Sequence, residues 1–327
     1  MTRVLCIVLG LCGALCGAHA PAALPPWKPE KAVEFIVPAS PGGGQDRIFR
    51  SVQKIIQDSG AVGTPMSLVN KAGGGGNFAY THLAQFPGDP HYLAIATATF
   101  VTNHLLGLST LGHNDFTPLC ILSGEYIGFA VNADGPIKSG RDLLARLRKS
   151  PESVSFAFGT SRGNSNHIAA SQVMRAAGGD ISKLKVVIYK SSIDATTALM
   201  GGHVDVVVTP SSTFVPVLGT GKIRIIAIAA PQRVPDRFAN VPTWKEEGAN
   251  INVSSFRLVL GAKGLAPAHV AYWDNVFGRV AKSAAWKKEV DDNEWDNIYL
   301  PSAETRKFLD AQQAQYRAAL TDVGLIK

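Results

Sequence analysis

Short apolar runs rich in β-branched residues alternate with amphipathic runs along most of the chain, and no other feature limits the fold so strongly. VEFIVP (33–38) is one such apolar run, and the stretch 45–58 then places Ile48, Phe49, Val52, Ile55 and Ile56 on one helical face. MSLVN (66–70), HYLAIATA (91–98), VDVVVT (204–209) and IRIIAIAA (223–230) read as further strands. Ser139 is placed to cap a helix over 141–149, and a helix over 192–200 is stopped by Gly201 and Gly202. Pro267 suits the first turn of another helix, and 303–320 supplies a last amphipathic one. Strand–helix alternation predicts an α/β fold with largely parallel sheets. Such folds bind ligands in the crevice beyond the carboxyl ends of the strands.

The first twenty residues, MTRVLCIVLGLCGALCGAHA, read as a secretory signal (1–20), with Arg3, an apolar stretch and Ala18-His19-Ala20 as the cleavage site. Removing them from the 327 leaves 307, room for two domains of roughly 100–200 residues each. Cys6, Cys12 and Cys16 would leave with the signal, so Cys120 stands alone, a small buried hydrophobe without a disulfide. Loss of Arg3 takes the net charge from +7 to +6, and the basic residues are scattered among acidic ones. A nucleic-acid footprint would be clustered. The histidines show no metal-ligand spacing, and no cofactor motif is present.

Three loops at strand ends could carry chemistry. Pro41-Gly42-Gly43-Gly44 follows the first strand and opens a helix. It reads either as an anion site of backbone amides or as a turn capped by Asp46. Gly73 to Gly76, followed by Asn77, repeats the pattern, and neither run is a dinucleotide or Walker motif. Gly159 to Gly163 spells G-x-S-x-G before a helical run. A nucleophile at Ser161 would need an acid and then a histidine later in the chain, an order that Asp205 or Asp236 with His269 satisfies. The other reading is a loop of neutral hydrogen-bonding groups, Ser161, Asn164 and Ser165, with His167 opening the next helix.

Seven ordered segments resemble one family. FIVPASPGGGQDRIFR is similar to its I-V-P-x-x-P-G-G-G-x-D-x-x-x-R opening, VNKAGGGGNF to its E-N-K-P-G-A-G-G-N-I loop, and GTSRGNSNHIA to its G-S-x-G-x-G-S-x-x-H-L-A loop. DFTPL, MGGHVDVVV, GKIRIIAIAAPQR and VPTWKEEG complete the series. On these, the chain is identified as resembling the periplasmic solute-binding proteins of tripartite tricarboxylate transporters, the TctC or Bug group.

The resemblance implies a two-domain, type II Venus-flytrap protein with a ligand cleft between domains. It places 28–124 with 230–327 in one domain and 125–229 in the other. It implies a monomer in the periplasm that closes on a small organic carboxylate and performs no catalysis. Delivery to membrane subunits of a tripartite transporter is the first expectation, and engagement of a sensor kinase ectodomain is the second. A secreted serine hydrolase using Ser161 is the rival. The implied contacts are Ser40, Gly43 and Gly44 in the first loop and Gly75, Gly76 and Asn77 in the second. Ser161, Asn164, Ser165, His167 and Thr209 would close from the other domain.

Some positions depart from the pattern. Val69 replaces a glutamate, Ser191 replaces a glycine, and Thr209 stands where an acid or amide is usual, which disfavours an amino-acid ligand. Arg257 follows Phe256 where a small residue is usual. It is expected at the surface, with a bidentate bond to a second ligand carboxylate as the alternative.

Overall fold

The computed structural model describes residues 27–327; the expected signal, 1–20, lies outside them. Val33–Val37 (β1) leads into Gly44–Asp58 (α1), Met66–Asn70 (β2) into Asn77–Leu83 (α2), and Tyr92–Ala96 (β3) into Ala98–Leu105 (α3). A 16-residue strand, Thr117–Asn132 (β4), follows. Next come Gly140–Lys149 (α4), Ser155–Gly159 (β5), Ser165–Ala176 (α5), Lys185–Tyr189 (β6), Ser192–Met200 (α6) and Val206–Pro210 (β7). Ile223–Ile228 (β8) and Ser254–Gly261 (β9) precede Pro267–Lys282 (α7), Ala284–Asn293 (α8) and Ser302–Asp322 (α9).

Local chemistry accounts for the elements. α1 buries Ile48, Phe49, Val52 and Ile56, the face its spacing predicts, at roughly 2 kcal/mol per fully buried side chain. Ser139 Oγ accepts the Asp142 N–H (3.1 Å) to start α4, and Ser191 Oγ accepts the Asp194 N–H (3.2 Å) to start α6. Ser191 is therefore a helix cap. Cys120 is buried and unpaired, and burial pushes its thiol well above the ordinary value, as suits an inert apolar filler.

The expectation of a largely parallel sheet needs correction: the strands form one mixed sheet. β2, β1 and β3 pair in parallel, as do β6, β5 and β7, but every pairing made by β4 is antiparallel. β9 also runs antiparallel to β3. β4 is the cause. From Thr117 to Tyr126 it pairs with β9, and from Ile127 to Asn132 it pairs with β7 and β8. One strand thus belongs to both halves of the sheet, and its nearly continuous burial explains an apolar run of that length. Glycine permits one close approach: a Cβ at Gly128 would lie 2.9 Å from the Phe214 ring.

The chain returns across the same place. The Ala229 N–H donates to the Ile127 carbonyl (2.8 Å), and the Val253 N–H to the Ala229 carbonyl (3.0 Å), immediately before β9. Between them, Trp244 packs edge-on against Phe129 of β4, ring centroids 4.9 Å apart. Glu247 accepts the Arg141 N–H of α4 at 2.8 Å.

Candidate functional site

The first loop is held by a buried acid. Asp46, in the first turn of α1, is 1% exposed. Its carboxylate accepts the Gly42 N–H (2.8 Å), Asn70 Nδ2 (2.8 Å) and Arg50 Nε (2.8 Å). Asn70, at the end of β2, also donates to the Ala39 carbonyl (2.9 Å). One carboxylate thus binds the β1 and β2 loops to each other and to the helix. Burial pushes the Asp46 carboxyl up, but the bonds from Arg50, Asn70 and Gly42 outweigh it and hold the group below the ordinary aspartate value.

The hydrogen bonds of Asp46 carry the turn reading of this loop. No side chain caps α1, so its first-turn amides stay without a side-chain acceptor at the positive end of the helix dipole. A Cβ at Gly44 would meet nothing within 4 Å. Two of the expected amides are already used. The Gly43 N–H donates to the Ser40 carbonyl (3.1 Å), and the Gly76 N–H to the Gly73 carbonyl (2.9 Å). Both bonds shape the loops, so neither of these amides is free for a ligand.

Gly73, Gly74, Gly75 and Gly76 all have positive φ, a run that only glycine adopts freely. At Gly75 (φ +64) an added Cβ would stand 2.7 Å from Asn103 Nδ2 and 3.4 Å from the Ser161 Cβ. Asn103, buried on α3, donates from Nδ2 to the Gly75 carbonyl (3.2 Å) and to Asn77 Oδ1 (3.4 Å). The Asn77 amide is spent on Asn103 and on the Leu108 carbonyl (2.8 Å). Two buried polar atoms remain without a partner here, Asn103 Oδ1 and Ser161 Oγ.

The third loop is held by side chains. Asn164 caps α5 by accepting the His167 N–H (3.0 Å), and its amide donates to the Gly159 carbonyl and Thr160 Oγ1 (both 2.9 Å). Thr160 has φ +78, an outlier for a β-branched residue, of the kind that costs about 1–3 kcal/mol and clusters at binding sites. His167 Nδ1 accepts the Gly163 N–H at 2.9 Å, so its proton sits on Nε2. Burial first, and the Arg162 charge second, pull its pKa down to about 4. An added Cβ on Gly163 (φ +77) would lie 2.1 Å from Leu106 Cδ1. The β5 loop therefore rests directly on the segment after α3.

The expected contacts divide in two groups. Gly75 and Ser161 lie close together and the space over Gly44 is open, while Asn164, His167 and Thr209 have their named polar atoms engaged within the fold. Thr209 is fully buried and donates to Thr213 Oγ1 (3.3 Å). Ser165 Oγ lies 3.4 Å from the Tyr316 hydroxyl of α9, and Ser40 is exposed at the rim.

The hydrolase constellation is not assembled. Ser161 Oγ has no hydrogen-bond partner. Asp205 is bonded to the Ser155 N–H (2.8 Å) and hydroxyl (2.7 Å), and His269 Nδ1 accepts the Ala266 N–H (3.3 Å) beside Trp27. Among the described residues no group of three His, Cys, Asp or Glu is placed to hold a metal, and no helix is long and apolar enough to cross a membrane.

Arg257 is the largest departure from expectation at the site. It is not at the surface but 6% exposed, and its carboxylate partner is Glu125 of β4. A lone acid inside the apolar run ILSGEYIG was the only sequence signal for this pair. Asp46 gave a clearer one, as an acid in a helix first turn behind three glycines.

The fold is that of the two-domain periplasmic binding proteins. A Rhodopseudomonas palustris protein with adipate matches it at TM-score 0.82 and 22% identity, over 90% of this chain and 98% of that one. MatC of the same organism, with bound malate, matches at TM-score 0.77 and 21% identity over 89% and 99%. Among sequence relatives, protein BugT of Bordetella pertussis is 24% identical over 99% of this chain and 98% of its own length. Residues 48–325 match the tripartite tricarboxylate transporter family receptor (TctC), and the chain belongs to that family. Members of it are periplasmic substrate-binding proteins, not enzymes. The serine-hydrolase alternative is thereby set aside.

Proposed function

We propose that this protein captures a small organic carboxylate in the cleft between the β1–β3 and β5–β7 lobes and delivers it to the membrane subunits of a tripartite transporter. The observation that carries this reading is the meeting of Gly75 and Ser161. Loops from opposite lobes come so near that a Cβ added at Gly75 would stand 3.4 Å from the Ser161 Cβ, and the Ser161 hydroxyl there is buried and unpaired. A carboxylate held there accepts amide donors from one lobe and a hydroxyl from the other. It stabilises the closed arrangement because it touches both. The ligands of the malate and adipate proteins, both carboxylates, agree with this chemistry.

Lobes of 28–124 with 230–327, and 125–229, accord with β4 and β9 as the crossings. The contacts of Trp244 and Glu247 with the second lobe favour moving the return crossing to about residue 253. Export through residues 1–20 completes the reading.

The test is a thermal-shift screen of the purified protein against a carboxylate panel, repeated with Gly44→Val/Gly75→Val. A ligand specific to the native state at a hundredfold excess over its Kd adds about 2.7 kcal/mol of stability. A carboxylate that raises the Tm of the wild type but not of the variant supports the loop site. An equal rise in both sinks it.

A further inference from the structure

Where β4 changes partners lies a buried ion pair that the carboxylate reading does not use. Arg257 Nη2 donates to Glu125 Oε1, and the Ser212 hydroxyl donates to Glu125 Oε2. Arg257 Nη1 donates to Ser255 Oγ (3.1 Å) and to the Phe256 carbonyl (3.3 Å). The side chains of Arg257 and Glu125 are 7% and 2% exposed. Arg257 Nε is buried and donates to nothing.

Register places this cluster at the cleft. Leu258 pairs with Ala96, the last residue of β3, so Arg257 stands one step past the carboxyl end of that strand. Ser212 lies two residues past the end of β7. Glu125 pairs with Ser255 at the point where β4 changes partners. The cluster therefore spans the carboxyl ends of parallel strands in both lobes, which is the crevice where α/β sheets receive ligands.

A guanidinium in such a crevice is the expected receiver of a ligand's second carboxylate. Here an internal carboxylate already occupies that role, with Glu125 Oε1 on the guanidinium and Oε2 on the Ser212 hydroxyl. We propose that Glu125 is a built-in second carboxylate, so that the cleft takes monocarboxylates whose far end is a neutral hydrogen-bond acceptor, with Arg257 Nε as its remaining donor. Glu125 and Arg257 are thus specificity-determining residues, and the inference rests on the carboxylate site proposed above. A diacid would bring its distal charge against Glu125, with Asp296 close behind, a group whose carboxyl is pushed up by burial and by Glu125. A carboxamide or ketone brings an acceptor without a charge.

The probes are diacids and their monoamides: succinate and succinamate, adipate and adipamate, terephthalate and 4-carbamoylbenzoate. They are titrated calorimetrically into the wild type, Glu125→Gln and Glu125→Gln/Arg257→Gln. The wild type is expected to bind at least one monoamide about tenfold more tightly than its diacid. Glu125→Gln frees the guanidinium and reverses that order, and the double variant loses the gain for the diacid. A wild type that binds diacids as tightly as monoamides overturns the inference, as does a preference that Glu125→Gln leaves unchanged. Should the single variant not fold, with its arginine buried and unpaired, the double variant decides alone. It must lose the amide preference, and retention overturns the proposal. Failure of every probe to bind folded wild type rejects the carboxylate site itself, and this inference falls with it.

Discussion

The two faces of the cleft are built by different means. On the β1–β3 side stand the glycine loops, and a buried acid, Asp46, ties Gly42 of the first to Asn70 at the start of the second. On the β5 side the loop offers a hydroxyl and is braced by neutral side chains, Asn164 and His167, around a residue in a left-handed conformation, Thr160. One face is pinned by a charge and the other by an uncharged imidazole. The difference separates their responses to acid, to truncation and to added bulk.

Acid gives the largest contrast. His167 has a pKa of about 4 in the fold against 6.5 unfolded, so the unfolded chain binds the extra proton as pH falls. Its contribution is intact above pH 6.5 and is lost as pH falls toward 4, at most about 3 kcal/mol. Asp46 is displaced below the ordinary aspartate value of 3.8, so what it contributes is intact above that value and lost only as pH drops beneath it. In the window from 6.5 to 4 the β5 loop weakens while the glycine loops hold. His167→Asn, which keeps an acceptor near the Gly163 N–H, is expected to flatten the fall in Tm over that window. An unchanged slope would assign the acid sensitivity elsewhere.

Asp46→Ala comes next. It leaves the Asn70 amide and the Gly42 N–H without their acceptor, at about 2 kcal/mol in urea unfolding, and loosens both loops enough to weaken ligand binding at least tenfold. Asp46→Asn, which retains one acceptor, is expected to lose less on both measures. Loss of stability with unimpaired binding would show that the glycine loops do not hold the ligand.

Bulk at the meeting point is a smaller perturbation. Gly163→Ala puts a Cβ on a left-handed residue, at about 1 kcal/mol in any arrangement of the lobes, and also against Leu106 where the lobes touch. A stability loss of about 1 kcal/mol in the ligand-free protein, with binding weakened further than that loss accounts for, is the expected pair of results. Equal losses in both would mean that the contact serves folding alone.

Ser161→Ala should disturb stability least, by under about 1 kcal/mol, because its buried hydroxyl has no partner to lose. Its effect belongs in ligand affinity, at about tenfold by calorimetry. A stability loss larger than that from Asp46→Ala would invert the comparison between the faces.

Much of this was legible in the sequence because it is local. Apolar spacing gave α1 its buried face, Ser139 caps the helix that follows it, and the glycine runs stand at the ends of β1 and β2. Periods of 3.6 and 2, caps and positive φ depend on residues a few positions apart, and those the chain states directly. The tertiary structure alone decided which groups pair at long range. β4 changes partners at residue 126, Asp46 reaches Asn70 across 24 positions, and Ser161 comes to rest on Gly75. Arg257 finds Glu125 across 132 positions, and so turns from an expected surface residue into half of a buried pair. Propensity acts along the chain, whereas charge and packing act through space, and only the folded register determines which distant groups share it.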